Sequence, residues 1–378
     1  MSRNPRGLLM QRKKLLKFED VSDRIHTLHD RNFKDQVIDL EKVRVIPDGN
    51  DKKPGIYLDV PNMGKLSLTD WSKRQLGSIL GIKFDKWFDP EVVKADEIQE
   101  ELVRRFSRTH ESRKVRARQF AAEDPGSKHA DGFVRAILSP TYAPIDDIRI
   151  FDRLGKRFRG QMGDMGFMQN HLGTDFFSDR SSHYTVVGEP VNMGPIDRKH
   201  PDKRVRDIYD IAEKEGQLPA EDWVYQGFHF RNSEVGYTAV SIDSSTFRLV
   251  CLNGMIVTVK DGRLLYRVHR AIDDESIDGL LDGAFRKMPA AWEKNRRQMV
   301  ALREVVLEDP EAEILKFLNR QKATKAFQDS VKEAYEAEPL PNRYGVLQAL
   351  SRAAQGEPDM DKRVELEEMA GQYLALAA

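Results

Sequence analysis

The stretch VRRFSRTHESRKVRARQF, residues 103–120, carries seven Arg/Lys and one Glu. SRKVRARQFAA (112–122) alternates basic with small or apolar residues, the period of a strand. In a strand, Lys114, Arg116 and Arg118 share one face. Two residues advance about 7 Å, so three cations in that row nearly match the phosphate repeat of an extended single strand of nucleic acid. LGKRFRG (154–160) adds Lys156, Arg157 and Arg159 around Phe158, and Phe167, Phe176, Phe177 and Tyr184 are further candidate stacking faces. Cations interleaved with rings are what sequence-tolerant single-strand binding requires. The structural alternative is an exposed strand face paired with Glu97, Glu100 and Glu101.

Other chemistries are weaker. HTLHD (26–30) sets His26 and His29 one helical turn apart beside Asp30, but no third distant ligand, HExxH or CxxC accompanies them. GQMGDMGFM spaces Gly160, Gly163 and Gly166 by three without a Lys-Ser/Thr ending, so it is neither a P-loop nor a dinucleotide fingerprint. It suits a loop whose Met162, Met165, Phe167 and Met168 give adaptable apolar contact. Cys251, between Val250 and Leu252, suits a buried inert thiol. IDDIRIFD clusters Asp146, Asp147 and Asp152, which with Glu234 form the acid set of a metal-dependent nuclease; helix capping accounts for the adjacent pair at a helix start. No catalytic residue, metal or cofactor is assigned.

These residues need elements to hold them. Thr69 or Asp70 opens a helix over 66–82, with Leu76, Ile79 and Leu80 at helical spacing, Trp71 in its first turn and Gly81 as its stop. A second helix covers 90–108. Strands follow at 112–122 and 132–139, a helix at about 146–154, and strands at 183–190 and 222–230. Thr238, Val240 and Ile242 continue the alternation. FRLVCL, MIVTVK and RLLYRVH are joined by Asn253-Gly254 and Asp261-Gly262, both hairpin turn signals. From 271 onward the pattern is helical: 275–287, 289–307, 310–336, 341–355 and 360–376. The expected fold is α+β: a flexible basic arm (1–17), a mainly helical N-terminal region (18–110), a largely antiparallel β-meander core (111–270) and a C-terminal helical region (271–378). The core includes a Gly/Met-rich loop at 155–173 and a polar excursion at 191–221.

The composition, 40% hydrophobic and 32% charged with one cysteine, describes a polar globular chain. No apolar run nears the roughly 20 residues of a spanning helix, and MSRNPRGLLMQRKKLLKF lacks a signal core. A cytoplasmic location is expected. The zero net charge is uneven: residues 1–120 hold 26 Lys/Arg against 19 Asp/Glu, and residues 301–378 hold 10 against 15. A basic front and acidic tail suit an anionic partner or head-to-tail contact between subunits.

GFVRAILSPTYAPIDD, then GFHFRNSEVGYTAVSIDSSTFRLVCLNGM and a basic strand ending in RVH, resemble the phage/plasmid-like proteins grouped as a domain of unknown function. LTDWSKRQLGSILGI and NRYGVLQALSRAAQGEP…RVELEEMAGQYL extend the resemblance over about 66–375; the basic arm and the excursion 191–221 depart from it. The resemblance implies a mobile-element setting. With the basic β-rich core, it implies a non-catalytic protein that binds and anneals single-stranded DNA, similar in role to phage annealing proteins, and forms homo-oligomers. Its expected contacts are Arg113, Lys114, Arg116, Arg118, Lys156, Arg157, Phe158, Arg159, Arg231 and Arg248. The alternatives are a protein that binds and modulates a host protein, and the nuclease above. Glu234 is expected to pair with Arg231 or Arg248, and His269 ends the last strand.

Overall fold

The computed structural model describes residues 15–30, 33–47, 56–83, 86, 94–109, 112–119, 132–161, 166–168, 180–195, 199, 206, 210, 213–214, 221–248, 254–257 and 263–377. Its α+β architecture is built on two sheets. The first contains β2 (Phe33–Asp39), β3 (Arg44–Pro47), β4 (Ile56–Val60), β5 (Gly64–Leu68), β6 (Ser112–Gln119) and β7 (Gly132–Leu138), in the order β2-β6-β7-β5-β4-β3. Its pairs are antiparallel except β5 with β7. The region 18–110 is thus not mainly helical. IYLDV alternates buried and half-buried side chains, and Asn62 and Gly64, both at positive φ, turn the chain back into β5.

One face of this sheet is apolar. Leu58, Leu66, Val115 and Val134 pack with Leu76 of α2 (Asp70–Leu80) and with Ile98, Leu102 and Phe106 of α3 (Ala95–Thr109). The ends of α2 match the sequence expectation. The Thr69 hydroxyl accepts from Ser72 N, and Gly81 closes the helix in the left-handed conformation at φ 76°.

The second sheet runs β1 (Leu15–Leu16), β8 (Gly166–Met168), β9 (Ser182–Pro195), β10 (Glu221–Asn232), β11 (Val240–Arg248), β12 (Gly254–Val257). β13 (Arg263–Arg267) pairs with the start of β11, and β12 with its end. The expected meander is therefore corrected: β12 and β13 share one edge of β11. Cys251 lies outside the described residues. So do Phe176, Phe177 and most of the excursion, although β9 extends into it as far as Pro195.

One face of this sheet packs on α1 (Phe18–Asp30), α4 (Asp147–Gln161) and α5 (Asp274–Glu304) through Val21, Phe151, Tyr184, Phe228, Phe230, Ile242 and Leu281. Two boundaries differ from expectation here. α4 continues through 155–161, so the Gly/Met-rich stretch begins as helix and includes β8. α5 runs unbroken through Pro289, because the buried stripe Ile277, Leu281, Ala284, Met288, Ala291, Met299 and Leu302 continues on both sides of it. Packing along that stripe outweighs the one backbone donor that proline lacks.

The remaining helices, α6 (Pro310–Arg320), α7 (Lys325–Glu336), α8 (Arg343–Ala354) and α9 (Met360–Ala377), form a bundle around Phe317, Leu318, Val331, Tyr344, Leu350 and Leu374. The expected single helix 310–336 divides where Lys322 takes φ 55° and the Thr324 hydroxyl accepts from Phe327 N. Among the described residues, no helix is long and apolar enough to cross a membrane.

Candidate functional site

The two sheets meet at the loop NSEVGYTA (232–239) between β10 and β11. Six side chains from outside the loop hold it. Trp71 Nε1 and Gln75 Nε2 of α2 donate to the Val235 carbonyl at 2.9 and 3.2 Å. Tyr142 Oη donates to Ser233 O at 3.2 Å, and Arg116 Nη1 to Glu234 O at 2.7 Å. Arg135 Nη1 meets Glu234 Oε2 at 2.8 Å. Asn232 Nδ2 donates to Ile145 O and Asp147 Oδ1, at 2.8 and 2.6 Å, and Tyr184 Oη donates to Asp147 Oδ2 at 2.9 Å.

The carboxylates in this hub differ in charge. Burial works against ionised Glu234, but Arg135 and Arg116 overcome it and hold its pKa below the ordinary value. Glu234 Oε1 then accepts from Asp147 N at 2.9 Å, placing a negative charge at the start of α4. Asp147 is buried without a cation of its own; burial first and the Glu234 charge second push it up to about 7. Asp146 is raised by burial and by Glu234, against the pull of Arg116. His269 Nδ1 accepts from Ile145 N at 3.0 Å, its ring stacks on Tyr142, and burial lowers it to about 4.

This arrangement corrects the expected basic row. Arg116 does lie on the same strand face as Lys114 and Arg118, but its side chain is 5% exposed. Its guanidinium meets Asp35 Oδ1 at 2.8 Å and Asp146 Oδ1 at 2.9 Å. Burial opposes its charge and Asp146, Asp35 and Glu234 restore it. It is a structural cation with no face toward a ligand. Lys114 is half-buried and its Nζ donates to the Tyr142 carbonyl. Arg118 is half-buried opposite Phe33.

Arg231 is a second correction: it pairs with Glu368 at 3.2 Å rather than with Glu234, whose partner is Arg135. Lys156, Arg157, Phe158 and Arg159 fall in the last turns of α4 and Arg248 ends β11; their side chains lie outside the described residues. Phe167 and Tyr184 are buried against Phe151, so neither is a stacking surface. His26 lies 3.0 Å from Asp152, and His29's side chain is outside the described residues.

A second polar layer lies on the face of the seven-stranded sheet that α9 covers. Asp361 Oδ1 meets His183 Nε2 at 2.8 Å, His183 Nδ1 meets His229 Nε2 at 3.2 Å, and His229 Nδ1 meets Thr185 Oγ1 at 3.1 Å. Ser181 Oγ reaches the same His183 Nε2 at 2.9 Å and also bonds Asp361. Serine, histidine and aspartate are all present, yet Ser181 and Asp361 compete for one ring nitrogen. A nucleophile-activating triad needs the acid on the other nitrogen. Burial lowers both histidines, His229 further because His183 and Arg231 stand beside it. Arg180 bridges Asp359 and Asp361 at 3.0 Å each, which ties the start of α9 to the sheet.

The nuclease set fares no better as chemistry. Asp146 and Glu234 face guanidiniums, Asp147 faces Asn232 and Tyr184, and Asp152 lies beside His26. Among the described residues, no three His, Cys, Asp or Glu are placed to hold a metal ion.

What does open to the surface is a groove of about 330 Å³ between α2 and the ends of β6 and β7. Trp71, Arg74, Gln75 and Ser78 line it from α2, and Arg113, Leu138 and Ser139 from the sheet side. Arg74, Ser78 and Ser139 are exposed; Trp71 and Arg113 are half-buried. The hydrogen bonds of Gln75, to Ile137 N at 2.8 Å and to Val235 O, fix α2 against β7 and so fix the groove. Arg113 was expected in a ligand surface. Trp71, Arg74 and Ser78 were not, although their spacing of three and four puts them on one helix face. Comparison of the chain with protein-family models, with curated proteins and with solved structures finds no match.

Proposed function

We propose that this protein binds single-stranded nucleic acid without cleaving it, and that it belongs to a phage- or plasmid-type mobile element in which it promotes annealing. The observation that carries the reading is the groove between α2 and β6–β7. It sets two guanidinium side chains, Arg74 and Arg113, beside two serine hydroxyls and the Trp71 indole. Guanidinium and hydroxyl donors suit phosphate oxygens, and an indole edge at the groove wall suits a base. The resemblance of the RNSEVGYTAVSID and GFVRAILS motifs to phage/plasmid-like proteins points the same way. In this reading Arg116 and Arg231 serve the fold, and the binding row shifts from Lys114–Arg118 to Arg113 and α2.

The test is binding of labelled single- and double-stranded oligonucleotides across a salt series, with and without Mg²⁺. The expected result is salt-sensitive binding with the oligonucleotide intact. Replacing both Arg74→Glu and Arg113→Glu is expected to weaken binding at least about tenfold and to reduce the salt slope by about 2, one per lost phosphate contact. Absence of binding at low salt, or an unchanged slope in the double variant, removes the reading. Metal-dependent cleavage replaces it with an enzyme.

A further inference from the structure

A second cleft, of about 760 Å³, opens among α7, the end of α8 and the first half of α9. Its floor is apolar: Phe327, Ala334, Ala353 and Leu366. Its rim carries Glu333, Glu357 and Glu365, with Arg352 and Lys362 as the opposing charges. The cleft faces away from the sheet, since Lys362 and Glu365 are exposed while Asp361, Val364 and Glu367 are buried on the inward side of α9. An apolar floor with an acidic rim suits a segment of apolar residues flanked by cations.

The chain contains such a segment. Residues 1–14, MSRNPRGLLMQRKK, outside the described residues, place Leu8, Leu9 and Met10 between Arg3 and Arg6 on one side and Arg12, Lys13 and Lys14 on the other, with no acid among them. They hold five of the cations that make residues 1–120 basic, and the cleft lies in the acidic region 301–378. The segment leads into β1, on an edge of the seven-stranded sheet, whereas the cleft opens on the outer side of α9. We infer that the cleft receives residues 1–14 of a second copy of this chain, with Leu8–Met10 on the Phe327–Leu366 floor and the flanking cations at Glu333, Glu357 and Glu365. Because arm and cleft are different surfaces, the contact is heterologous and repeats head to tail. That geometry lengthens the assembly without using the groove at α2.

Complementation tests this with full-length protein and no nucleic acid present. One variant carries Leu8→Asp with Leu9→Asp; the other carries Glu333→Lys with Glu365→Lys. Sedimentation is expected to show self-association of the wild type, at least tenfold weaker self-association of each variant alone, and a one-to-one complex when the two variants are mixed. The mixture retains one intact arm and one intact cleft, so its assembly also shows that both variants are folded. A wild type that stays monomeric, which includes the case of an arm docked in its own cleft, overturns the inference. So does a mixture that remains monomeric, or a cleft variant that associates like the wild type. Since oligonucleotide binding is measured separately through Arg74 and Arg113, failure of one proposal leaves the other readable.

Discussion

At the scale of single residues, the hub shows how burial and neighbouring charge divide like groups into different roles. Glu234 and Asp147 are two carboxylates joined by one hydrogen bond, yet Glu234 is held ionised by two arginines while Asp147 is held toward its neutral form. The sign of the consequence follows from linkage. The folded protein keeps the Asp147 proton up to about pH 7, and the unfolded chain releases it near pH 4. Between those values the folded state binds the extra proton, so raising the pH costs stability, by up to about 1.4 kcal/mol per pH unit. Above pH 7 the whole penalty is present. Asp147→Asn has no proton to lose, and its amide oxygen can still accept from Asn232 while its NH₂ donates to the Tyr184 oxygen. Urea unfolding of both proteins from pH 4.5 to 8 is expected to show the variant gaining on the wild type as pH rises and levelling off above about 7. His183 and His229 favour stability in the opposite direction, lost as pH falls below the unfolded imidazole value, but they are common to both proteins and cancel in the difference. Parallel pH profiles would show that Asp147 does not titrate in this window.

At the scale of elements, α9 is held by charge as much as by apolar packing. Asp361 alone receives His183, Ser181 and Arg180, and Glu368 receives Arg231. Asp361→Ala leaves the His183 ring without its acid and part of Arg180's charge unmatched in a buried layer, a loss of roughly 3–5 kcal/mol. Limited proteolysis is expected to cut within residues 360–377 first in that variant, while the six-stranded sheet stays intact; cleavage at the wild-type rate would show that α9 is held elsewhere. Elements whose signals are local were legible in the sequence. Thr69 and Gly81 mark the ends of α2, and the alternations of β6, β7, β10 and β11 place those strands nearly to the residue. What escaped depends on partners far along the chain. The polar residues His229, Arg231 and Asp243 alternate along β10 and β11 like a solvent face, and only the arrival of α9, more than 100 residues later, makes that face interior. Arg116 was misplaced for the same reason, because its acids come from β2 and from the start of α4, neither adjacent to β6 in sequence. The groove at α2 was half legible: Arg113 stood out in a basic run, but Arg74 and Ser78 gain meaning only once α2 is laid against β7.

At the scale of the molecule, the loop 232–239 decides whether the two sheets behave as one body. It belongs in sequence to the seven-stranded sheet, and its outer contacts, Trp71, Gln75, Arg116 and Arg135, belong to the six-stranded side. The apolar contact there is small, formed by Ala136, Leu138 and Val235 with Trp71 and Tyr142 around them. Gly236, at φ 79° with a Cβ position 2.8 Å from Leu138, lets the loop turn against that patch where another residue would be strained and crowded. Coupling between the sheets therefore rests largely on polar bonds that converge on Glu234. Glu234→Ala removes the partner of Arg135, the acceptor for Asp147 N and one of the charges that stabilise Arg116, for an expected loss of about 3–5 kcal/mol. The loss should not be uniform. Hydrogen exchange followed separately in β6–β7 and in β9–β10 is expected to give one shared opening free energy in the wild type. In the variant it is expected to give two, with the six-stranded sheet opening first because its own core lacks the long helix that braces β10 and β11. A cycle that adds Arg135→Met assigns the ion pair its share: if the pair carries the coupling, the double variant loses little more than either single one. Equal loss of protection in both sheets would mean that the unit is held together elsewhere, and the groove beside Trp71 would then be independent of the hub beneath it.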